Sequence, residues 1–144
     1  MRARLFCVLF SVLTLAMATG WAFEGRSLEV TVEFEGGEVD SQHPIWVFVW
    51  DNSNFNGSIP IAMTTLNESG KTASFDWLTA SPVFISVAYD EKGGYNPQMV
   101  GPPPSGTPIS AHVAEGSPGP SPIELKEGEP TGVKIRFDGS FRMP

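Results

Sequence analysis

The sequence predicts an all-β protein, an antiparallel β-sandwich of about seven strands preceded by a cleavable signal helix. Three observations predict it. Short runs rich in Val, Ile, Phe and Trp recur along the chain, with Gly, Pro, Asn and Ser between them. The first of these runs, Ser27 to Glu35, alternates between apolar and polar residues. Beyond the N-terminal apolar stretch, no segment carries the ~3.6-residue period of an amphipathic helix.

The leader comes first. Arg2 and Arg4 form a short positive region, and Leu5 to Ala18 is uncharged and apolar. Small residues at Gly20 and Ala22 suit cleavage after Ala22, with Ala16-Met17-Ala18 as a second site. The apolar run is shorter than the ~20 residues a membrane-spanning helix needs. The expectation is that residues 1–22 are removed and that residues 23–144 form a single β-sandwich domain, periplasmic or secreted, without stable membrane insertion. The one cysteine, Cys7, lies in the leader, so the remaining chain has no disulfide, thiolate nucleophile or cysteine metal site. The chain carries 16 Asp+Glu against 9 Lys+Arg, and loss of Arg2 and Arg4 makes it more acidic. Such a chain repels nucleic acid and anionic lipid, and its expected partners are an envelope protein or a glycan.

The strands follow in order. In Ser27 to Glu35, Leu28, Val30, Val32 and Phe34 share one face, while Glu29, Thr31, Glu33 and Glu35 share the other. Gly36-Gly37 ends this strand. Ile45 to Trp50 is an unbroken apolar strand, followed by the polar loop Asp51 to Gly57. Ile59 to Thr65 is a weaker strand, softened by Pro60. After the turn Asn67 to Lys71 come Thr72 to Leu78 and Val83 to Asp90, separated by Ser81-Pro82. Gly93 to Pro122 is a Pro/Gly-rich loop. Proline lacks the donor that a central strand needs, so only Ile109 to Val113 can pair there, at an edge. Strand character returns at Ile123 to Leu125 and at Gly132 to Phe137.

These residues resemble a known family. An I-x-V-x-V strand (Ile45, Val47, Val49), the glycine turn Asn67 to Lys71 with Phe75 beyond it, and an I-x-V-x-Y-D strand (Ile85 to Asp90) running into Gly93-Gly94 resemble the carboxypeptidase regulatory-like modules. Those are prealbumin-like (transthyretin-like) β-sandwiches. The likeness spans residues 27–94 and implies a sandwich that serves as an interaction or accessory unit. Transthyretin-like hydrolases end in Tyr-Arg-Gly-Ser; here Gly139-Ser140 matches, but the Tyr and Arg are absent. Intradiol dioxygenases hold iron with two Tyr and two His. Tyr89, Tyr95, His43 and His112 occur here in the wrong order, without the close His pair.

Three constellations bear on function. Trp46, Phe48 and Trp50 share one face of their strand, and Ile45, Val47 and Val49 share the other. Three such aromatics present on the order of 450–750 Å², more than the ~300–600 Å² of a typical largest exposed patch. Both faces therefore need cover. Either the aromatics enter the core and the Pro-rich segment covers the other face, or they meet a partner, or they form a platform for sugar rings joined by Trp77. Asp51, Asp90 and Asn96 lie in loops that offer oxygen ligands for calcium, or else stabilise their own turns. The stretch Pro97 to Pro122 is a rigid loop or a polyproline segment that a partner reads. Asn56-Gly57-Ser58 and Asn67-Glu68-Ser69 match the glycosylation sequon.

No G-x-S-x-G elbow, P-loop or H-E-x-x-H motif occurs, and a serine triad would have to recruit His43 or His112 as base. The expected function is therefore an exported, non-catalytic binding or interaction module at the cell envelope, needing no cofactor. A carbohydrate-binding protein using an exposed aromatic strip is the alternative, and a small hydrolase on a transthyretin-like fold the third reading.

Overall fold

The computed structural model describes residues 25–144; the expected leader and its Ala22 cleavage site lie outside the described residues. Seven strands and one helical turn follow in chain order: β1 (Arg26–Phe34), β2 (Ile45–Trp50), β3 (Ala62–Leu66), β4 (Thr72–Leu78), β5 (Phe84–Tyr89), α1 (Pro97–Val100), β6 (Ile109–Ala111) and β7 (Pro130–Phe137). They form two sheets, a three-stranded one in the order β4-β1-β7 and a four-stranded one in the order β3-β2-β5-β6. The architecture is an all-β sandwich. Among the described residues no helix is long and apolar enough to cross a membrane.

The alternation in β1 decides how the first sheet sits. Leu28, Val30, Val32 and Phe34 are buried, while Glu29, Thr31, Glu33 and Glu35 point to the outer face. On the inner face they meet Ile45, Val47 and Val49 of β2 and Ile85, Val87 and Tyr89 of β5, together with Phe75, Ile135 and Phe137. Period-two side chains from both sheets thus interdigitate in one core. Ile123 and Leu125 join it from outside the strands. They are brought there by a bridge between Val83 and Ile123 and by the Leu125 amide, which donates to Ser81 Oγ at 2.9 Å. On the outer face, the acidic side chains of β1 meet the bases of β7. Glu33 pairs with Lys134 at 2.9 Å and Arg136 with Glu35 at 3.0 Å.

Two particulars differ from a fully antiparallel reading. The pair β1 and β7 is parallel, from Ser27 opposite Pro130 to Phe34 opposite Phe137. A parallel pair needs a crossover, and here the whole second sheet lies between the two strands in sequence. The other departure is in β4. Ser27 is opposed by both Asp76 and Trp77, because Arg26 pairs with Leu78 and Leu28 with Phe75. Trp77 sits at this bulge with φ 61°.

Other boundaries follow local chemistry. The weaker strand begins at Ala62, later than Ile59, since Pro60 cannot join the ladder. Within the Pro-rich loop the one strand is β6, three residues long at the end of its sheet, which stops at Ala111, short of the expected Val113. Within the Asn67 to Lys71 turn, Ser69 closes the end of β1: its Oγ accepts from Phe34 N at 2.8 Å and donates to Phe34 O at 3.2 Å.

Candidate functional site

The outer face of the four-stranded sheet carries a second apolar cluster of Phe48, Trp50 and Ala88, with Trp46, Phe55, Met63, Phe84, Tyr95 and Ile109 packed against it. Trp46, Phe48 and Trp50 lie side by side along β2, with ring centroids 6.1 and 6.0 Å apart. Of the uses left open for it, β2 does not send its aromatic face into the core between the sheets. Its aliphatic residues fill the space between the sheets, and its aromatic residues face outward. The core between the sheets already holds the rings of Phe34, Phe75, Tyr89 and Phe137, and the β2 rings on the opposite face need a roof of their own.

That roof is incomplete. On the same face, β5 places Phe84 opposite Trp50 but only Ser86 and Ala88 opposite Phe48 and Trp46, and β6 adds Ile109 and Ala111 in register with them. Small side chains next to large ones leave a hollow. It is a cavity of 950 Å³, floored by Phe48, Trp50, Ser86 and Ala88. Pockets for small molecules span about 300–1,000 Å³. One wall is the loop carrying Ser53, Asn54, Phe55 and Ile59, and another is the Pro-rich segment from Pro97 to Pro120. None of the lining side chains is Asp, Glu, Lys, Arg or His.

Hydrogen bonds hold the lining in place. Trp50 Nε1 donates to Ser86 Oγ at 2.9 Å, a diagonal pair across β2 and β5. Tyr95 stands against Trp46 edge-on at 5.8 Å, and its hydroxyl donates to Gly101 O at 2.7 Å. Burial, and secondarily the charge of Asp90, pushes the Tyr95 hydroxyl up to about 12. The C-terminal tail completes the wall with Phe141 and Met143. It is tied to the segment before β6 by the Ile109 amide donating to Phe141 O at 3.0 Å and the Met143 amide donating to Thr107 O at 2.9 Å. Arg142 donates to Glu91 Oε2 at 2.9 Å and to Gly106 O at 2.8 Å.

The expected site residues fall into separate places. Trp46, Phe48 and Trp50 belong together on the cavity side, but Phe48 and Trp50 are only 4% and 7% exposed, so they form no open platform. Trp77 does not join them: it lies in the other sheet, 66% exposed at the bulge of β4, with its ring over Gly25.

The calcium set is also dispersed. Asp51 follows the end of β2 that pairs with Phe84, while the Asp90 amide bonds Pro44 O at the other end of that strand. Seven residues of extended chain separate the two by on the order of 20 Å. Asp51 accepts from Asn52 Nδ2. Asp90 accepts from the Tyr95 amide at 2.8 Å, and Asn96 caps α1 by accepting from the Gln98 amide at 3.0 Å. These oxygens stabilise turns, and among the described residues no group of three or more His, Cys, Asp or Glu is arranged to hold a metal.

The two histidines stand apart in the same way. His43 bonds Asp40 at the turn before β2, and the His112 amide bonds Ile85 O near the opposite end of β5. Burial pushes the His112 imidazole down.

Sequence reasoning missed Ser86, Ala88, Phe55 and Tyr95 as site residues. The available signal was the pair of small residues alternating with Val87 in β5, beside a strand of three rings. Comparison with protein-family models, with characterised proteins and with solved structures finds no match.

Proposed function

We propose that this chain is an exported, non-catalytic binding module of the cell envelope that receives its ligand in the cavity on the outer face of the four-stranded sheet. One observation carries the reading: a hollow of 950 Å³, walled by rings, prolines and small residues, carries no Asp, Glu, Lys, Arg or His side chain. Acid–base and nucleophilic catalysis need such groups poised beside the substrate. Binding of an uncharged molecule needs shape and apolar surface. Prolines in the wall hold the backbone in few conformations, so less entropy is lost when a ligand arrives.

A glycan-stacking role for the aromatic strip has less support. Phe48 and Trp50 are covered, and the one exposed tryptophan among the described residues, Trp77, lies in the other sheet.

The test uses Nile red, a neutral apolar dye whose emission reports its surroundings. The purified protein is expected to bind it at one site. Met63→Trp, which adds bulk to the cavity wall, is expected to weaken binding by about tenfold or more. Absence of dye binding, or equal binding by the variant, would sink the reading.

A further inference from the structure

We propose that the cavity accepts a neutral molecule with a hydrocarbon chain, and that it discriminates against both anions and sugars. The proposal rests on reading the cavity as a binding site, and it adds the chemistry of the ligand.

The lining sets the charge of its occupant. With no cation in it, a carboxylate or phosphate drawn inside would lose its water and gain no partner. Outside the cavity the balance is also unfavourable to anions, because the chain has a net charge of −7. A cationic ligand fares no better inside, since the lining holds no side-chain carboxylate.

The ring faces argue against sugar. A sugar ring needs an open ring face to stack on as well as donors and acceptors. Here the Ser86 hydroxyl accepts from Trp50, the Ser58 hydroxyl donates to Asn52 and the Tyr95 hydroxyl donates to Gly101 O, which leaves the polar side chains of Ser53, Asn54, Asn56, Gln98 and Ser110 in the lining. The ring of Trp50 is covered by Phe55, with centroids 5.1 Å apart.

The apolar groups argue for a chain. Met63 and Met143 offer flexible, polarisable surface that adapts to a bending occupant. The rim continues the apolar path outward: Ile59 is 85% and Phe141 67% exposed, and both line the cavity. Met99 and Val100, also exposed, follow Pro97 and Gln98 of the wall on α1. An extended hydrocarbon can lie between floor and rim with its uncharged head inside the lining, where a carboxylate would lose its water.

Displacement of bound Nile red from the purified protein tests this. The competitors are a saturated twelve-carbon alcohol, the carboxylate of the same length, and a neutral linear tetrasaccharide, at pH 8. The alcohol is expected to displace the dye, the carboxylate to be at least about tenfold weaker, and the sugar to have no effect. Alcohol added free or carried in phosphatidylcholine vesicles supports the assignment in either case, and the difference tells soluble from membrane-borne delivery. Gln98→Lys places a cation on the exposed side of the wall and is expected to narrow or reverse the preference for the alcohol. Ile59→Ser, on the exposed rim, is expected to weaken the alcohol without changing the melting temperature.

A carboxylate that equals the alcohol, or a sugar that displaces the dye, overturns the ligand class and leaves the binding site standing. If the dye never binds, the cavity reading fails, and this proposal with it.

Discussion

Ser86 shows how one small side chain makes both a hollow and a hydrogen bond. A larger residue there would fill the space beside Phe48, and an apolar one would strand the indole N–H of Trp50. Ser86→Ala is therefore expected to destabilise the protein by about 1–3 kcal/mol, because a buried donor loses its acceptor. Urea unfolding reads the cost, and an unchanged midpoint would mean that water replaces the hydroxyl.

Tyr95 gives a second test at this scale. An ordinary tyrosine ionises near 10, but here burial and the charge of Asp90 hold the proton until about 12. Between those values the unfolded chain has given up a proton that the fold retains, so stability falls as pH rises through this window. Tyr89 is shifted in the same direction and adds to the fall. Tyr95→Phe is expected to make the decline between pH 10 and 12 shallower in urea melts. An equal slope would assign the loss to Tyr89 and the surface.

At the scale of elements, the strands were legible wherever side-chain pattern alone decides. The boundaries of β2 and β4 agree with expectation, because each is bracketed by strong turn chemistry. Pro60 shortened its strand as the missing N–H requires. The partner of β7 was not legible. Val133, Ile135 and Phe137 alternate equally well whichever way the strand runs, and only the path of the preceding chain makes it parallel to β1.

That pairing matters to stability. Placed beside β1, β7 delivers Ile135 and Phe137 to the core, where Phe137 stands 4.6 Å from Phe34 between ring centroids. Ile135→Ala is expected to cost about 2–5 kcal/mol, measured by chemical denaturation. A cost below 1 kcal/mol would mean that β7 is peripheral. The free edges are managed as well. A bulge bends β4, Lys134 and Arg136 charge β7, and the C-terminal tail covers the edge of β6, with the Ile109 amide donating to Phe141 O.

Across the whole molecule, the C-terminal tail links elements far apart in sequence. Arg142 holds Glu91 at the end of β5 and Gly106 before β6, and this places Phe141 and Met143 on the cavity wall. The Arg142 guanidinium keeps the Glu91 carboxyl below its ordinary value of 4.5. A depressed carboxyl contributes above its unfolded pKa, and that contribution is lost as pH falls through the folded value. Below pH 4.5 the tail is expected to loosen, seen as faster amide exchange at Met143. Glu91→Gln is expected to speed the same exchange at neutral pH, and equal protection in that variant would show that the backbone bonds suffice.

The sequence by itself determined the all-β class, most of the strands, the burial of one face of β1 and the edge position of the Pro-rich strand. Each of these depends on periodicity or on missing backbone donors, which are local properties. Tertiary structure alone decided that Trp77 stands apart from the other tryptophans and that Asp51 and Asp90 lie at opposite ends of β2. It also decided that the aromatic face of β2 turns away from the core. The reason is that two alternating faces of one strand are equivalent until a second sheet chooses between them. A cavity is set by the relative sizes of side chains on neighbouring strands, and strand order is not written in any single strand.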